Sequence, residues 1–283
     1  MSVKPEEFRS VAILGPGLLG GSLLKCLSEQ TPEVDLRVWA RRQQAVDEIG
    51  LLAPSAKASS SLEELIAGAE LIVLAMPVEH MRSVVDGISC FAPGAIVTDV
   101  GSVKESVHQD LDQVVKSKGG IFVGSHPMAG SEKTGIEHST ADLFRGAAVV
   151  VTSDSDEQEE HATRVSTFWQ NFGCNVIRCQ PAQHDRWVAA VSHLPHLMAS
   201  ALVRSTLHGN EGQNAAQLIA GGFTDTTRVA SGAPAMWAGI LEANHDGMID
   251  ELQAWREALV VLDKDALHRF LSEAKEMRDA VIS

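Results

Sequence analysis

The sequence predicts an α/β fold in which a doubly wound parallel sheet is followed by an all-α domain. Up to about residue 180, short apolar segments rich in β-branched residues alternate with helical segments, as in a parallel sheet covered by helices on both faces. After Pro181 the strand-like segments stop, and apolar residues recur at helical spacing. With 283 residues the chain is long enough for two domains, which we place at residues 1–180 and 181–283.

The individual elements follow from local composition. Apolar, β-branched stretches predict strands at residues 11–15, 35–40, 71–77, 95–100, 120–125, 147–153 and 175–179. Helical periodicity predicts helices at residues 18–29, 43–50 and 61–69. In the second domain, residues 182–209 are apolar at helical spacing despite Pro195, and residues 236–283 are expected to be helical throughout. Helices of this length leave room for a homodimer in which helices of two subunits pack together.

The composition is that of an ordinary globular protein and argues against two kinds of partner. Hydrophobic residues make up 45% of the chain and charged residues 21%. The net charge is −14, and the sequence has no stripe of basic residues that would bind nucleic acid. The longest apolar run, residues 71–78, is too short to cross a membrane, and the N-terminus lacks a signal-peptide core. The cysteines have neither metal-site nor disulfide spacing, so we expect reduced thiols in the cytoplasm and no bound metal. They are Cys26, Cys90, Cys174 and Cys179.

A glycine motif marks a dinucleotide site of the Rossmann type. Gly15, Gly17 and Gly20 form a G-x-G-x-x-G pattern directly after the first predicted strand and at the start of a helix. The first glycine permits the tight turn, the second lets a pyrophosphate approach the backbone, and the third lets helix and strand pack closely. The free amides and positive dipole end of the helix then bind the phosphates. Further candidate cofactor contacts are Leu18, Leu19, Met76 and Pro77.

The end of the second predicted strand favours NADP over NAD. A cofactor site for NAD usually carries Asp or Glu here, because a carboxylate accepts hydrogen bonds from the ribose hydroxyls. This chain has Ala40 at that position, followed by Arg41 and Arg42. Two guanidinium groups without a carboxylate suit a 2′-phosphate, although two solvated arginines at a helix start remain the alternative.

Four segments supply polar groups for chemistry. A hydride donor carbon that bears a hydroxyl needs a base for the hydroxyl proton, and histidine is the usual base near neutral pH. His126 lies in the tightly punctuated stretch GSHPMAGSEKTG, between small residues and before a proline. The candidate groups are Asp99, Ser102 and Lys104 in residues 98–104, His126 and Glu132 in 124–132, His193 and His196 in 191–196, and Asp225, Arg228 and Trp237 in 221–237.

Together these segments resemble the prephenate/arogenate dehydrogenase family of tyrosine biosynthesis. The resemblance extends over nearly the whole chain, through GPGLLGGS, TDVGSVK, GSHPMAGSE, VSHLPH and GGFTDTTRVASGAPAMW in family order. It implies a dinucleotide-binding domain, a helical domain that joins two subunits into a homodimer, and the oxidative decarboxylation of a cyclohexadienol. For prephenate the product is 4-hydroxyphenylpyruvate, and for arogenate it is tyrosine.

The resemblance also implies roles for individual residues. His126 would hydrogen-bond the ring hydroxyl of the substrate and act as the base, while Ser102 would hold the same hydroxyl near the nicotinamide. Arg228 would bind a substrate carboxylate, for which a bidentate guanidinium is well suited. His193 and Trp237 would line the pocket. Glu132 and Asp225 are the candidates for orienting the cationic groups.

Each role has a structural alternative. His126 is able to cap a turn, His193 to fill the core, and Trp237 to pack rather than bind. Ser102 is able to cap a helix, with Glu105 as the second member of a capping box. Arg228 is able to pair only with Asp225. For His184, His196, His208, His245 and His268 the sequence offers no interpretation beyond surface or packing positions.

Alternatives also remain at the level of function. A different NADP-dependent hydroxyacid dehydrogenase would have a similar layout, but such enzymes depend on a lysine in the helical domain, and no lysine occurs between Pro181 and Asp263. A non-enzymatic NADP-binding sensor would need the glycine motif but not His126, Ser102 and Arg228 together. The sequence does not separate prephenate from arogenate, and prephenate is favoured on frequency within the family.

Overall fold

The computed structural model describes residues 8–130, 133, 135–260 and 264–282. Its larger sheet has six strands, all parallel, in the order β3-β2-β1-β4-β5-β6. They are β1 Ser10–Leu14, β2 Asp35–Trp39, β3 Lys57–Ser59, β4 Leu71–Leu74, β5 Ile96–Asp99 and β6 Ile121–Phe122. The connecting helices are α1 Leu18–Gln30, α2 Gln43–Leu52, α3 Leu62–Ile66, α4 Val78–Asp86 and α5 Glu105–Ser117. This is the doubly wound arrangement predicted from the sequence, with β3 as a strand that the sequence did not indicate.

The two faces of the sheet are covered by different helices. Side chains alternate along β1, so Val11 and Ile13 belong to one apolar cluster with Leu24 of α1. Their neighbours in β1 belong to a second cluster on the opposite face, which contains Met81 of α4 and Leu111 of α5. Because both faces of the strands are buried, the strands read as continuous apolar runs in the sequence.

A smaller sheet diverges from the prediction of a single sheet. It consists of β7 Gly124–Pro127, β8 Ala148–Thr152 and β9 Asn175–Cys179, with β7 antiparallel to β8 and β8 parallel to β9. The helix α6, Glu159–Asn171, lies between β8 and β9 in the chain. The predicted strand at 120–125 is therefore two strands in two sheets. The Asp99 carboxylate accepts a hydrogen bond from the Ser125 amide at 3.2 Å, and the Asp99 carbonyl accepts one from the Ser125 hydroxyl at 2.6 Å. These two bonds stand where backbone pairing with β5 would otherwise continue.

The second half of the chain is helical. Its helices are α7 Pro181–Val188, α8 Leu194–Leu207, α9 Gly209–Ala216, α10 Gly221–Thr227, α11 Pro234–Ala243, α12 His245–Val260 and α13 Lys264–Val281. The predicted helix at 182–209 is interrupted by a π-helical turn at Ala189–His193. The turn ends two residues before Pro195. Pro195 has no N–H, and its ring would clash with the preceding turn, so a regular α-helical hydrogen bond cannot form there. The predicted helix at 236–283 breaks at Asn244, between α11 and α12.

Few side chains of this helical half are buried within one chain. Among the described residues from 200 onward, those classed as buried are Gly212, Thr227, Ile240, Asn244 and Met248. Large apolar side chains remain exposed, including Leu218 at 84% and Met277 at 70%. Among the described residues, no helix has both the length and the apolar character needed to cross a membrane.

The first turn of α1 requires a glycine for packing. A Cβ atom at Gly20 would overlap the carbonyl oxygen of Gly15 and would lie 3.0 Å from the Cβ of Ala75. Backbone atoms of β1 and its loop cannot move aside without disturbing the sheet. Gly20 therefore sets how closely α1 approaches the strands.

We expect Gly20→Ala to lower the free energy of unfolding by about 1–3 kcal/mol, as overpacking typically does. Gly50→Ala is the matched control, because Gly50 is exposed in α2 and a Cβ atom added there would have no atom of another described part of the chain within 4 Å. The control should raise stability by about 0.5–1 kcal/mol, as expected for Gly→Ala within a helix. Chemical denaturation measures both changes, and equal stability of Gly20→Ala and the unaltered protein would contradict the packing argument.

Candidate active site

The candidate cofactor residues lie at the carboxyl edge of the parallel sheet. Gly15 follows β1, Met76 follows β4, and Ser102 follows β5. β1 and β4 are adjacent, and the chain leaves this pair in opposite directions, towards β2 on one side and β5 on the other. A crevice at such a switch point is the general ligand site of open α/β sheets.

The glycine motif has the geometry that a dinucleotide requires. Gly15 has a φ of +107°, and a Cβ there would lie 2.6 Å from the carbonyl oxygen of Ala75. Beyond its chain neighbours, no described residue has an atom within 4 Å of a Cβ placed at Gly17, which precedes α1 and provides no side-chain cap. Leu18 and Leu19 begin the helix, and both are half-buried. The first amides of α1 thus face an open approach, which fits a pyrophosphate.

The two arginines predicted to select the cofactor follow β2. Ala40 is buried, whereas Arg41 and Arg42 are both exposed, and Arg42 immediately precedes α2. Among the described residues, neither arginine forms a salt bridge or a side-chain hydrogen bond. Both guanidinium groups are therefore available to a phosphate at this edge. Of the other candidate cofactor contacts, Met76 is half-buried and Pro77 is exposed at the start of α4.

A buried ion pair follows β5. The ammonium group of Lys104 contacts a carboxylate oxygen of Asp99, and both side chains are almost completely buried. Asp99 also accepts the Gly101 amide at 2.8 Å. Burial lowers the pKa of Lys104, and the attraction of Asp99 opposes this effect. The pair fixes the loop that carries Ser102.

His126 lies in β7 and forms a chain of hydrogen bonds with two residues of α7. Its side chain is buried, with Nδ1 2.8 Å from Nε2 of His184. Nδ1 of His184 lies 2.6 Å from a carboxylate oxygen of Asp185. Of the two positions that the sequence offered for His184, surface or packing, the surface position is wrong, because the ring is fully buried. The ring also connects the candidate base to a carboxylate, which the sequence did not predict. Nor does His126 act as a turn cap.

Both histidine rings are held neutral by burial. The pKa of His126 lies well below its ordinary 6.5 because the ring is desolvated, and repulsion by His184, Lys104 and His193 lowers this pKa further. Burial also lowers the pKa of His184, although the hydrogen bond to Asp185 opposes the shift. A neutral imidazole has a lone pair on one nitrogen, so the site holds a potential base.

Asp185 caps the helix that follows the Ser102 loop. Its two carboxylate oxygens accept the backbone amides of Lys104 at 2.7 Å and Glu105 at 2.9 Å. Burial raises the pKa of Asp185, but hydrogen bonds from His184 and from these amides outweigh burial, and the net pKa is lowered. The capping box proposed for Ser102 and Glu105 is therefore not formed. Ser102 is half-buried, and its hydroxyl bonds no described residue.

A second polar cluster lies beside Asp185. The side-chain amide of Asn244 donates to the Asp185 carbonyl at 2.8 Å and lies 3.1 Å from Nδ1 of His193. Burial lowers the pKa of His193 to about 4. The rings of His193 and Trp237 meet edge to face, with centroids 6.3 Å apart. His193 is also almost completely buried, so within one chain it has the position of a core histidine with polar and aromatic partners, and its role in a pocket stays a prediction.

Trp237 also stacks on a histidine for which the sequence predicted no role. The rings of Trp237 and His196 are 3.6 Å apart at an interplanar angle of 10°. Trp237 is half-buried and packs against the cluster on the α4 and α5 side of the sheet, to which Met76 also belongs. The helical half therefore contacts the sheet near the end of β4. The packing alternative for Trp237 is therefore confirmed, and its role in the pocket stays a prediction.

Two of the remaining candidates lie away from this network. Arg228 begins a short 3-10 turn, Arg228–Ser231, after α10, and both Arg228 and Asp225 are exposed. Among the described residues they form no ion pair, so the suggested Arg228–Asp225 pairing is absent. The next residue, Val229, bonds His196 through its backbone and opposes the lowering of the His196 pKa by burial. Glu132 lies outside the described residues.

Three residues of the network were missed as candidates: His184, Asp185 and Asn244. His184 and Asp185 are 58 residues or more from His126 in the sequence, so no spacing links them. The one signal was an adjacent histidine and aspartate near the start of a predicted helix, because charged residues are rarely buried without partners. Asn244 ends a helix and carried no signal.

Comparison with known proteins identifies relatives over nearly the whole chain. Residues 41–178 match the family model of the prephenate dehydrogenase nucleotide-binding domain, and residues 180–281 match that of the prephenate dehydrogenase dimerization domain. A prephenate dehydrogenase from Bacillus subtilis (strain 168) is 30% identical over 286 residues, which covers 96% of this chain and 76% of the relative.

Solved structures agree with these sequence matches. The crystal structure of prephenate dehydrogenase from A. aeolicus in complex with hydroxyphenyl propionate and NAD+ has a TM-score of 0.86 at 28% identity, and 98% of each chain is covered. The structure of Synechocystis arogenate dehydrogenase has a TM-score of 0.82 at 27% identity, covering 96% of this chain and all of that one. Since the two family models together span most of the sequence and the fold agrees, the protein is a dehydrogenase with a nicotinamide-nucleotide-binding domain and belongs to the prephenate dehydrogenase family.

Proposed function

We propose that this dehydrogenase oxidises and decarboxylates prephenate, transferring a hydride to NADP and releasing carbon dioxide and 4-hydroxyphenylpyruvate. The observation that carries the proposal is the buried, neutral ring of His126 in the strand that follows the carboxyl edge of the parallel sheet. A neutral imidazole is suited to accept the proton of the ring hydroxyl as the carbon beneath it loses hydride.

The chain's own residues have three tasks in this reaction. His126 accepts the hydroxyl proton, and the hydroxyl of Ser102, which bonds no described residue, holds the substrate oxygen beside it. Arg228, exposed and without an ionic partner among the described residues, binds a substrate carboxylate. When bound, the nicotinamide accepts the hydride, and loss of carbon dioxide makes the ring aromatic. The remaining contribution of the protein is to hold these groups at contact distance.

Further residues are proposed to shape the substrate pocket. His193 and Trp237 form one wall, supported by their edge-to-face contact. Glu132 and Asp225 are proposed to orient the cationic groups. These roles come from the family resemblance of the segments that contain them.

The preference for NADP is supported by Arg41 and Arg42 at the end of β2. Both are exposed and unpaired among the described residues, and Ala40 stands where a carboxylate would bind ribose hydroxyls. The related A. aeolicus enzyme was crystallised with NAD+, so the proposal of NADP rests on the residues of this chain alone.

Arogenate is the second candidate substrate, with tyrosine as the product. The similarity to Synechocystis arogenate dehydrogenase supports arogenate as a candidate, because that structure covers 96% of this chain, the same share as the Bacillus subtilis prephenate dehydrogenase. The two compounds share the ring, the hydroxyl and the ring carboxylate, and they differ in a keto or amino group on the side chain. A different hydroxyacid dehydrogenase and a catalytically silent NADP sensor are less well supported, since neither needs His126, Ser102 and Arg228 together.

We also propose that two chains form a homodimer through the helices of residues 181–283. The large apolar side chains exposed on α12 and α13, such as Trp255 and Leu271, support this arrangement. Exposed apolar surface of this extent is typical of a protein interface. We further propose that the two domains meet near residue 180. A cytoplasmic location is proposed from the four cysteines, which form no disulfide.

The function is tested by mixing purified protein with NADP or NAD and with prephenate or arogenate, and by recording the absorbance of the reduced cofactor. We expect reduction of NADP with prephenate, together with release of carbon dioxide. Faster oxidation of arogenate would assign the second candidate, and oxidation of neither compound would contradict the enzymatic proposal.

His126→Asn should lower kcat by about 10²–10⁴-fold, the usual contribution of a general base, while NADP binding stays unchanged. Because burial lowers the pKa of His126 well below 6.5, the unaltered enzyme should keep its kcat/KM as the pH falls through 6.5 and lose it only at lower pH, where the ring becomes protonated. Steady-state rates over a pH series measure both effects. A fully active His126→Asn variant would remove the base assigned here.

Replacing both arginines, as Arg41→Ala and Arg42→Ala together, should raise the KM for NADP by roughly 10- to 100-fold, the value of charge-assisted hydrogen bonds to a phosphate. The KM for NAD should change little, because NAD has no 2′-phosphate, and it serves as the internal control. Equal effects on both cofactors, or a strong preference of the unaltered enzyme for NAD, would refute the assignment to NADP.

A further inference from the structure

We propose that His184 and Asp185 are positioning residues that place the proton of His126 on Nδ1 and leave Nε2 as the basic atom. This inference rests on the proposed role of His126 as the base. It adds the specific nitrogen that performs the reaction and the residues that select it. The hydrogen bonds run from the carboxylate of Asp185 through His184 to His126.

The first step concerns Asp185. Its oxygens accept the amides of Lys104 at 2.7 Å and Glu105 at 2.9 Å, and backbone amides act only as donors. These bonds favour the ionised carboxylate, which is acceptor-only. The ring nitrogen Nδ1 of His184, at 2.6 Å from the same carboxylate, must therefore carry a proton. The direction of this bond is fixed by the helix amides.

The second step concerns His184. A neutral imidazole has one N–H and one lone pair, so with the proton on Nδ1 its Nε2 is an acceptor. Nε2 of His184 lies 2.8 Å from Nδ1 of His126, a distance that indicates a hydrogen bond. His126 must then donate from Nδ1. Its Nε2 keeps the lone pair, and no described residue bonds that atom.

The electrostatic surroundings agree with two neutral rings. Burial is the largest cause of the lowered pKa of both His126 and His184, and Lys104 adds a positive charge nearby that disfavours either imidazolium. When Nε2 of His126 accepts a proton from the substrate, the new charge is shared with His184 through the Nδ1–H bond. The carboxylate of Asp185 lies one ring further along, so the charge is balanced without a second proton transfer.

The chain of bonds joins the two halves of the protein. His126 belongs to β7, whereas His184 and Asp185 belong to α7, the first helix of residues 181–283. Asp185 fixes α7 against the first turn of α5. The base therefore acquires its basic nitrogen only where α7 is docked on the nucleotide-binding half.

The protonation of His126 is tested directly by NMR of protein labelled with ¹⁵N in the histidine rings, without substrate. Resonances lost in His126→Asn identify the ring nitrogens of His126. We expect a protonated Nδ1 and an unprotonated Nε2 at pH 7, and a shift of the proton to Nε2 in His184→Leu, which offers no acceptor. A proton on Nε2 of His126 in the unaltered protein would overturn the proposal.

Kinetics provide the second test. His184→Leu should lower kcat by about 10²-fold, within the range for a misplaced base proton, with the KM for NADP changed by less than about threefold. His184→Gln supplies an amide oxygen that accepts from Nδ1 of His126, so it should recover most of this loss. His161→Leu is the matched control, because His161 is a half-buried histidine of α6 outside the network, and it should leave kcat unchanged.

Each result decides the proposal. Full activity of His184→Leu, or an equal loss in the Leu and Gln variants, would overturn the positioning role, since a cavity alone explains the second outcome. If His184→Leu does not fold, the ring spectrum of the unaltered protein and the Gln variant decide. If neither prephenate nor arogenate is oxidised, the proposed function fails, while the ring spectrum still tests the bond chain separately.

Discussion

The carboxylate of Asp185 is the contact on which the arrangement of the site depends. It accepts two amides at the start of α5 and the ring of His184, while the carbonyl of the same residue accepts the amide of Asn244. A negative charge at a helix N-terminus is favourable, and here it satisfies amides that no side chain of α5 itself caps. One residue thus connects the Ser102 loop, the candidate base and the polar cluster around His193.

The same interior contains a buried ion pair and several neutral rings. Lys104 and Asp99 form the ion pair. Burial costs both groups their hydration, and this cost is offset by their mutual attraction and by the amide hydrogen bonds that Asp99 accepts. The buried histidines are instead neutral, because burial lowers their pKa values. The positive charge of Lys104 reinforces this, because it disfavours a second cation nearby. Imidazole rings that are unprotonated at neutral pH are the consequence.

The two halves of the chain contribute different parts of the crevice. The parallel sheet supplies the glycine turn, the arginines after β2 and the Ser102 loop, all at one edge. The helical half supplies the proposed wall of His193 and Trp237 and the residues behind His126. It buries little of its own apolar surface within one chain, so the proposed dimer also accounts for its stability as a domain.

The sequence by itself determined the sheet, the dinucleotide turn and the position of most candidate residues. These features are local: strand and helix periods and the glycine spacing act through neighbouring residues, and Gly15, His126 and His193 stand in recognisable segments. The structure added what depends on distant parts of the chain. It split the strand at 120–125 between two sheets, because Asp99 bonds Ser125. It also placed Asp185 at the start of α5, where the sequence had offered a Ser102–Glu105 cap as an alternative. The partnership of His126 with His184 was decided only by tertiary structure, because it needs α7 docked on α5, and no sequence period records a contact between residues 58 positions apart.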